Sequence, residues 1–214
     1  MTEDEAKSWL AETFDVSRET QERLEAFIAF LRVEAQLQNL ISAATLDQLW
    51  ARHIVDSAQL LKFAPEDGDW LDLGSGAGFP GLIVPMLSGH RVVLVESRAK
   101  RIDFLERAIT MLGMEDVAVV AGMPLERLET APYSVISARA FAPLHRLLDL
   151  SYRFSTDNTM WLLPKGRNAV NELQDVSDRW NLEFIIEPSI TDSEAGILTG
   201  RVLGPRSKDQ AEGR

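Results

Sequence analysis

The segment Trp70-Leu71-Asp72-Leu73-Gly74-Ser75-Gly76-Ala77-Gly78-Phe79-Pro80-Gly81 decides the fold. A short apolar run meets an acid, and four glycines then fall within eight residues. This predicts a buried strand turning sharply into a helix, because glycine serves where φ is positive or where something must approach the backbone closely. A side chain at Gly76 or Gly78 would fill that space. Downstream, Arg91-Val92-Val93-Leu94-Val95-Glu96 predicts a second buried strand ending on an acid. Open α/β sheets hold a nucleoside with a glycine turn followed, about twenty residues on, by an acid at a strand end. The turn meets the ligand with backbone, and the carboxylate accepts from the ribose hydroxyls.

Two ligands fit this layout. Gly76-x-Gly78-x-x-Gly81 matches the dinucleotide fingerprint, which needs a helix N-terminus to meet a pyrophosphate. Asp72-x-Gly74-x-Gly76-x-Gly78 matches the loop that holds S-adenosylmethionine, a sulfonium cation without phosphate, and Asp72 just before the turn suits that charge. The plain alternative is a tight strand-to-helix turn with no ligand at all.

Outward from the turn, strands are predicted at 70–73, 92–96, 117–121, 133–138 and 159–163, with helices at 80–88, 98–113, 143–154 and 168–180. Such alternation implies a mostly parallel sheet covered on both faces. Runs at 182–187 and 197–203 have no helix between them and read as an antiparallel pair at a sheet edge, for seven strands in all. On the N-terminal side, Leu24, Phe27, Ile28, Leu31 and Ala35 make one apolar stripe of a helix over 18–40, broken at Asn39-Leu40-Ile41-Ser42. A second helix is predicted over 46–62, with Leu49, Trp50, His53 and Ile54 on one side. Trp50, Trp70 and Phe27 read as core. The organisation is therefore a helical extension at 1–66 packed on the core, a sheet domain at 67–206 and a polar, disordered tail at 207–214.

The 214 residues carry a net charge of -11 and no cysteine. Disulfides and thiolate metal sites are excluded, which suits a reducing compartment. No apolar run approaches the roughly 20 residues that span a bilayer, and Met1-Thr2-Glu3-Asp4-Glu5 is the opposite of a secretory signal. A cytoplasmic, monomeric protein without metal is expected. The acidity argues against a general nucleic-acid coat. It is uneven, however: residues 70–169 hold 11 Lys and Arg against 10 Asp and Glu, and Arg139, Arg146, Arg153, Lys165 and Arg167 cluster there. A local anion-binding face on an acidic protein is the functional reading, and a solvated helix face the plain one for Arg146 and Arg153.

In open α/β sheets ligands bind beyond the carboxyl ends of the strands, where strand order switches. That rule selects 72–79, Glu96, 122–126 (the adenine side), Ser137-Ala138-Arg139-Ala140-Phe141 and Pro164-Lys165-Gly166-Arg167.

These segments together resemble the RsmG (GidB) family of small-subunit ribosomal RNA methyltransferases. The resemblance covers roughly 20–200 and is carried by Asn39-Leu40-Ile41-Ser42, Arg52-His53-Ile54-Val55-Asp56-Ser57, the glycine turn, Ser97 to Leu105, Ser137 to Ala142 and Pro164-Lys165-Gly166. It implies a Rossmann-like class I methyltransferase fold and S-adenosylmethionine as cofactor. The implied reaction is methylation of guanine N7 in 16S ribosomal RNA at the family's position 527, on naked RNA or on a small-subunit particle. By resemblance, Gly74, Phe79, Leu125, Glu126 and Arg139 match the cofactor-contacting positions; the residues themselves add Asp72, Ser75, Gly76, Gly78 and Glu96. Two rival readings are a nicotinamide-dependent oxidoreductase, weakened by the lack of a second domain for substrate, and a non-catalytic ribosome-assembly or nucleotide-binding module.

Arg139 at a strand end is costly to bury unless it meets an anion: the methionyl carboxylate, an RNA phosphate, or in the plain reading Asp72 or Glu96. Lys165 and Arg167 suit phosphate contact, so Arg139, Lys165 and Arg167 are the expected RNA-binding residues, with Arg139 and Lys165 also positioning the reactants. His53 and Asp56 are expected to shape the pocket mouth, with His53 in a structural role. No base is needed, because N7 offers an in-plane lone pair and carries no proton.

Overall fold

Alternate side chains of β1 (Asp69–Leu73) serve two cores. Trp70 joins the cluster under the N-terminal helices, while Leu71 and Leu73 join the cluster on the other face. The next strand, β2 (Arg91–Val95), does the same with Leu94 and Val95. Burial on both sides explains the continuous apolar runs, as the central strands of a parallel sheet require.

In this computed structural model, which describes residues 1–206, five more strands complete one sheet. They are β3 (Ala118–Ala121), β4 (Val135–Ala138), β5 (Met160–Lys165), β6 (Trp180–Pro188) and β7 (Gly196–Pro205). The order is β3-β2-β1-β4-β5-β7-β6, with the first five strands parallel and β7 antiparallel to both β5 and β6. The expected seven strands and terminal antiparallel pair are present. Strand order reverses between β1 and β4, so the crevice of the switch point opens above Leu73 and Ala138. The expected disordered tail at 207–214 lies outside the described residues.

The helices are α1 (Glu3–Phe14), α2 (Arg18–Glu34), α3 (Asp56–Ala58), α4 (Ile83–Leu87), α5 (Ala99–Leu112), α6 (Leu144–Ser151) and α7 (Ala169–Val176). α1 is absent from the sequence expectation, because its buried side chains are only Ala6 and Leu10. Its signal is a capping box: Thr2 Oγ1 accepts from the Glu5 amide, and Glu5 Oε2 accepts from the Thr2 amide. α2 buries the expected stripe but stops at Glu34, short of 40. There the Arg107 guanidinium grips the buried Glu34 carboxylate with bonds of 2.9 and 2.8 Å.

The helix expected over 46–62 is broken. It winds as a π-helix at Trp50–Val55, turns once as α3 and tightens to a 3-10 helix at Gln59–Lys62. Its free N-terminal amides are met by Glu3, whose carboxylate accepts from Trp50 N at 3.1 Å and Ala51 N at 2.9 Å. Wide π-turns frequently occur at functional sites, and this one presents Arg52, His53 and Asp56 to a single cavity.

Candidate active site

Two cavities open at the carboxyl edge of the sheet, and Ala140 to Pro143, just after β4, form the wall between them. Ala140 sits at φ 53, a left-handed conformation that non-glycine residues adopt at some energetic cost.

The first cavity, about 500 Å³, is lined by Gly74, Glu96, Ser97, Leu125, Glu126 and Phe141 among others. Glu96 is only 6% exposed. Its Oε1 accepts from the amides of Ser97 at 2.8 Å and Arg98 at 2.9 Å, which fixes the carboxylate. Its Oε2 lies 3.6 Å from Arg101 and keeps room to accept from hydroxyl groups. Gly74 (φ 69) anchors the turn, its amide donating to Val95 O at 2.9 Å, and Phe141 packs directly upon it.

The glycine turn holds itself by other means than expected. Asp72 is fully buried and lines neither cavity, so the reading in which it faces a bound sulfonium is corrected. Alternation along β1 sends its carboxylate under the returning loop. Gly81 N donates to Oδ2 at 3.2 Å and Ser137 Oγ to Oδ1 at 2.7 Å, and Trp70 Nε1 donates to Ser137 Oγ at 2.8 Å. Burial pushes the Asp72 carboxyl above the usual range, opposed by bonds from Ser75, Ser137 and Gly81 and by the Arg139 charge. Ser75 also turns inward, donating to Asp72 O. Gly78 (φ 86) is required by packing: a Cβ there would sit 2.5 Å from Leu82 Cδ1. At Gly76 (φ 57) a Cβ would find nothing closer than 3.6 Å, so its glycine serves the backbone conformation.

The second cavity, about 890 Å³, is lined by Thr45, Arg52, His53, Asp56, Arg139, Lys165, Glu172, Thr191 and Asp192 among others. Arg139 faces it, and its partner is neither Asp72 nor Glu96 but Asp56, at 3.3 Å. The same guanidinium donates to Arg52 O and to His53 Nδ1 at 3.0 Å, and lies over the Phe79 ring. His53 is therefore neutral, with its Nδ1 lone pair toward Arg139 and Nε2–H donating to Thr45 Oγ1 at 3.0 Å. Burial, with the charges of Arg139 and Arg52, depresses it to about 3. Its ring bridges the Arg139 guanidinium and the Thr45 hydroxyl.

Phe79 is buried between Phe27 and the stacked His53 ring, so its side chain reaches no cavity. Lys165 donates to Glu172 Oε2 at 2.8 Å and is largely covered. Arg167, by contrast, is a surface residue paired with Glu194. Leu125 and Glu126 line the first cavity.

A family model described as GidB, rRNA small subunit methyltransferase G, matches residues 20–198. The chain belongs to that family. A curated Ribosomal RNA small subunit methyltransferase G from Rhizorhabdus wittichii is 52% identical over 213 residues, covering 98% of this chain and 97% of that protein. One of the same name from Erythrobacter litoralis is 53% identical over 202 residues, covering 94% and 96%. Among solved structures, an RNA methyltransferase from Salinibacter ruber in complex with S-adenosyl-L-homocysteine superposes with a TM-score of 0.55 at 16% identity. It covers 72% of this chain and 94% of that one, a likeness of fold.

In this GidB chain several cavity residues escape a reading of motifs. Thr45, Glu172, Thr191 and Asp192 come from three separate segments. Gln59 Oε1 accepts from Ile190 N at 3.0 Å, Thr191 Oγ1 donates to Asp56 at 2.8 Å, and Arg52 pairs with Asp192. The β6–β7 loop is thus tied to the helical extension, which closes one side of the cavity. Only the acid of the Arg52-His53-Ile54-Val55-Asp56 run hinted at this.

Proposed function

We propose that this chain methylates N7 of a guanine in 16S ribosomal RNA of the small ribosomal subunit, with S-adenosylmethionine as methyl donor. The observation that carries the reading is the pair of cavities sharing the wall at 140–143. The first fits a nucleoside: a preset carboxylate at Glu96 for the ribose hydroxyls, and Leu125 and Met123 beside a planar ring. Family membership argues for a methyl donor there and against the nicotinamide reading. When bound, S-adenosylmethionine supplies a methyl group on a positively charged sulfur, which the N7 lone pair can take without loss of a proton.

The second cavity takes the guanine. Arg139 and Lys165 supply donors suited to guanine O6 or its phosphate, and Asp56 and Glu172 stand by with negative charge for a base that becomes cationic on methylation. The chain's contribution is alignment and electrostatic preorganisation. His53 serves this by holding Arg139. The target guanine must be unstacked to reach the cavity. Both cavities are built within one chain, so a monomer suffices, acting in the cytoplasm where the ribosome is assembled. Among the described residues no helix is long and apolar enough to cross a membrane, and no group of acids and histidines is arranged to hold a metal ion.

Mass spectrometry of small-subunit RNA tests the reading. RNA from cells lacking the protein should lose one N7-methylguanine, and purified protein should restore it on RNA or on particles. A methyl group found on carbon, ribose or protein overturns it.

A further inference from the structure

The five basic residues clustered at 139–167 are largely neutralised by the fold. Arg139 pairs with Asp56, Lys165 with Glu172 and Arg167 with Glu194, while Arg153 is spent on the carbonyls of Leu125 and Leu128 and the hydroxyl of Thr130. A paired cation adds little to the outward potential. A phosphate that drew Arg167 away would leave Glu194 unpaired beside it. Of the five, Arg146 alone is exposed with no hydrogen-bond or ion-pair partner among the described residues.

Arg146 stands on the rim of the first cavity, together with Arg98. A shallower opening of about 410 Å³ adjoins it, shares Arg98 and Arg101, and adds Lys100. Arg98 and Lys100 are exposed, and no carboxylate lies within ion-pair distance of either among the described residues. Three unpaired cations therefore border one continuous mouth on a protein whose net charge is -11. Like Arg139, they lie on the strand-end edge of the sheet, where a target base would enter.

We propose that Arg98, Lys100 and Arg146 form the phosphate-docking face for the RNA strand that flanks the target guanine. The strand crosses the mouth of the first cavity, and Arg167 takes no part. This rests on the RNA-methyltransferase reading and adds the path of its substrate. Unpaired cations supply non-sequence-specific affinity, and each phosphate contact steepens the salt dependence by about 0.7 for single strands and 0.9 for duplex.

The test compares the wild type with the triple variant Arg98→Ala/Lys100→Ala/Arg146→Ala, with Lys100→Glu alone and with Arg167→Ala. Binding to a small-subunit RNA fragment containing the target guanine is followed from 50 to 300 mM KCl, and S-adenosylhomocysteine binding is followed by calorimetry. The triple variant should lose at least tenfold in RNA affinity and about two units of slope. Lys100→Glu, at a residue outside the lining of the first cavity, should weaken RNA binding with no change in cofactor binding. Arg167→Ala should keep the wild-type slope. An unchanged slope in the triple variant, a flat slope in the wild type, or a loss confined to Arg167→Ala overturns the face. Methyl transfer to RNA by the wild type is scored separately, so an active enzyme with an unchanged slope condemns only the face. A slope loss in a protein that transfers no methyl group condemns only the activity.

Discussion

Glu96 and His53 carry opposite electrostatic assignments within one edge of the sheet. Glu96 is a preset acceptor, held by two amides in a buried place. Glu96→Ala should weaken S-adenosylhomocysteine binding by about 1–3 kcal/mol, the scale of hydrogen bonds to a charged group. Calorimetry checks this, and an unchanged dissociation constant would place the ribose elsewhere. His53 is kept neutral by burial and by two guanidinium groups, at about 3 against an ordinary value near 6.5. The unfolded chain takes up a proton below about pH 6.5 that the folded chain refuses until about pH 3. The stabilising contribution is complete above that window and falls as pH drops through it. At pH 4.5 the loss is roughly 2–3 kcal/mol by linkage. Urea unfolding at several pH values should show this decline for the wild type, and His53→Gln should flatten it.

At the scale of elements, the glycine turn and the broken helix at 50–62 do the placing. The turn's glycines are not equivalent. Gly76→Ala meets no close atom and carries only the left-handed backbone penalty, about 1–2 kcal/mol. Gly78→Ala adds a collision with Leu82 and should cost about 1–3 kcal/mol more through overpacking at the start of α4. Denaturant unfolding of both variants measures the difference, and equal losses would mean that Leu82 yields freely. The π-turn at Trp50–Val55 and the first residue of α3 bring Arg52, His53 and Asp56 to one cavity beside Arg139.

Across the whole molecule, the helical extension and the last strand pair are far apart in sequence yet meet at the second cavity. Gln59 is the hub, bonding Asp56 Oδ1 at 3.0 Å, Ser189 Oγ at 3.3 Å and Ile190 N at 3.0 Å. Gln59→Ala should release the 189–195 loop. Its amides should exchange roughly 5- to 30-fold faster, the effect of losing about 1–2 kcal/mol of hydrogen bonding, while S-adenosylhomocysteine affinity holds. Hydrogen-exchange mass spectrometry reads both the loop and the core in one experiment. Unaltered exchange would show that the ties of Arg52 to Asp192 and of Asp56 to Thr191 suffice alone.

By itself the sequence determined the parallel core, the switch-point edge and an acid at the end of β2. Each follows from local rules: apolar runs long enough for a strand, glycines at positive φ, and an acid at a strand end. It did not show α1, whose two buried residues leave too faint a stripe, nor the break at 50–62, since a π-turn depends on what its side chains meet across the chain. Asp72 marks the boundary most clearly. An acid before a glycine turn reads as a ligand contact, but the pleat of β1 aims it at Gly81 and Ser137, and only the folded loop reveals that. Charge behaves likewise: Arg139, Lys165 and Arg167 look free in a sequence, whereas Asp56, Glu172 and Glu194 reach them only through tertiary approach. Local geometry is written in neighbouring residues, but the partner of a long charged side chain is settled by whichever opposite charge the packing of distant elements delivers.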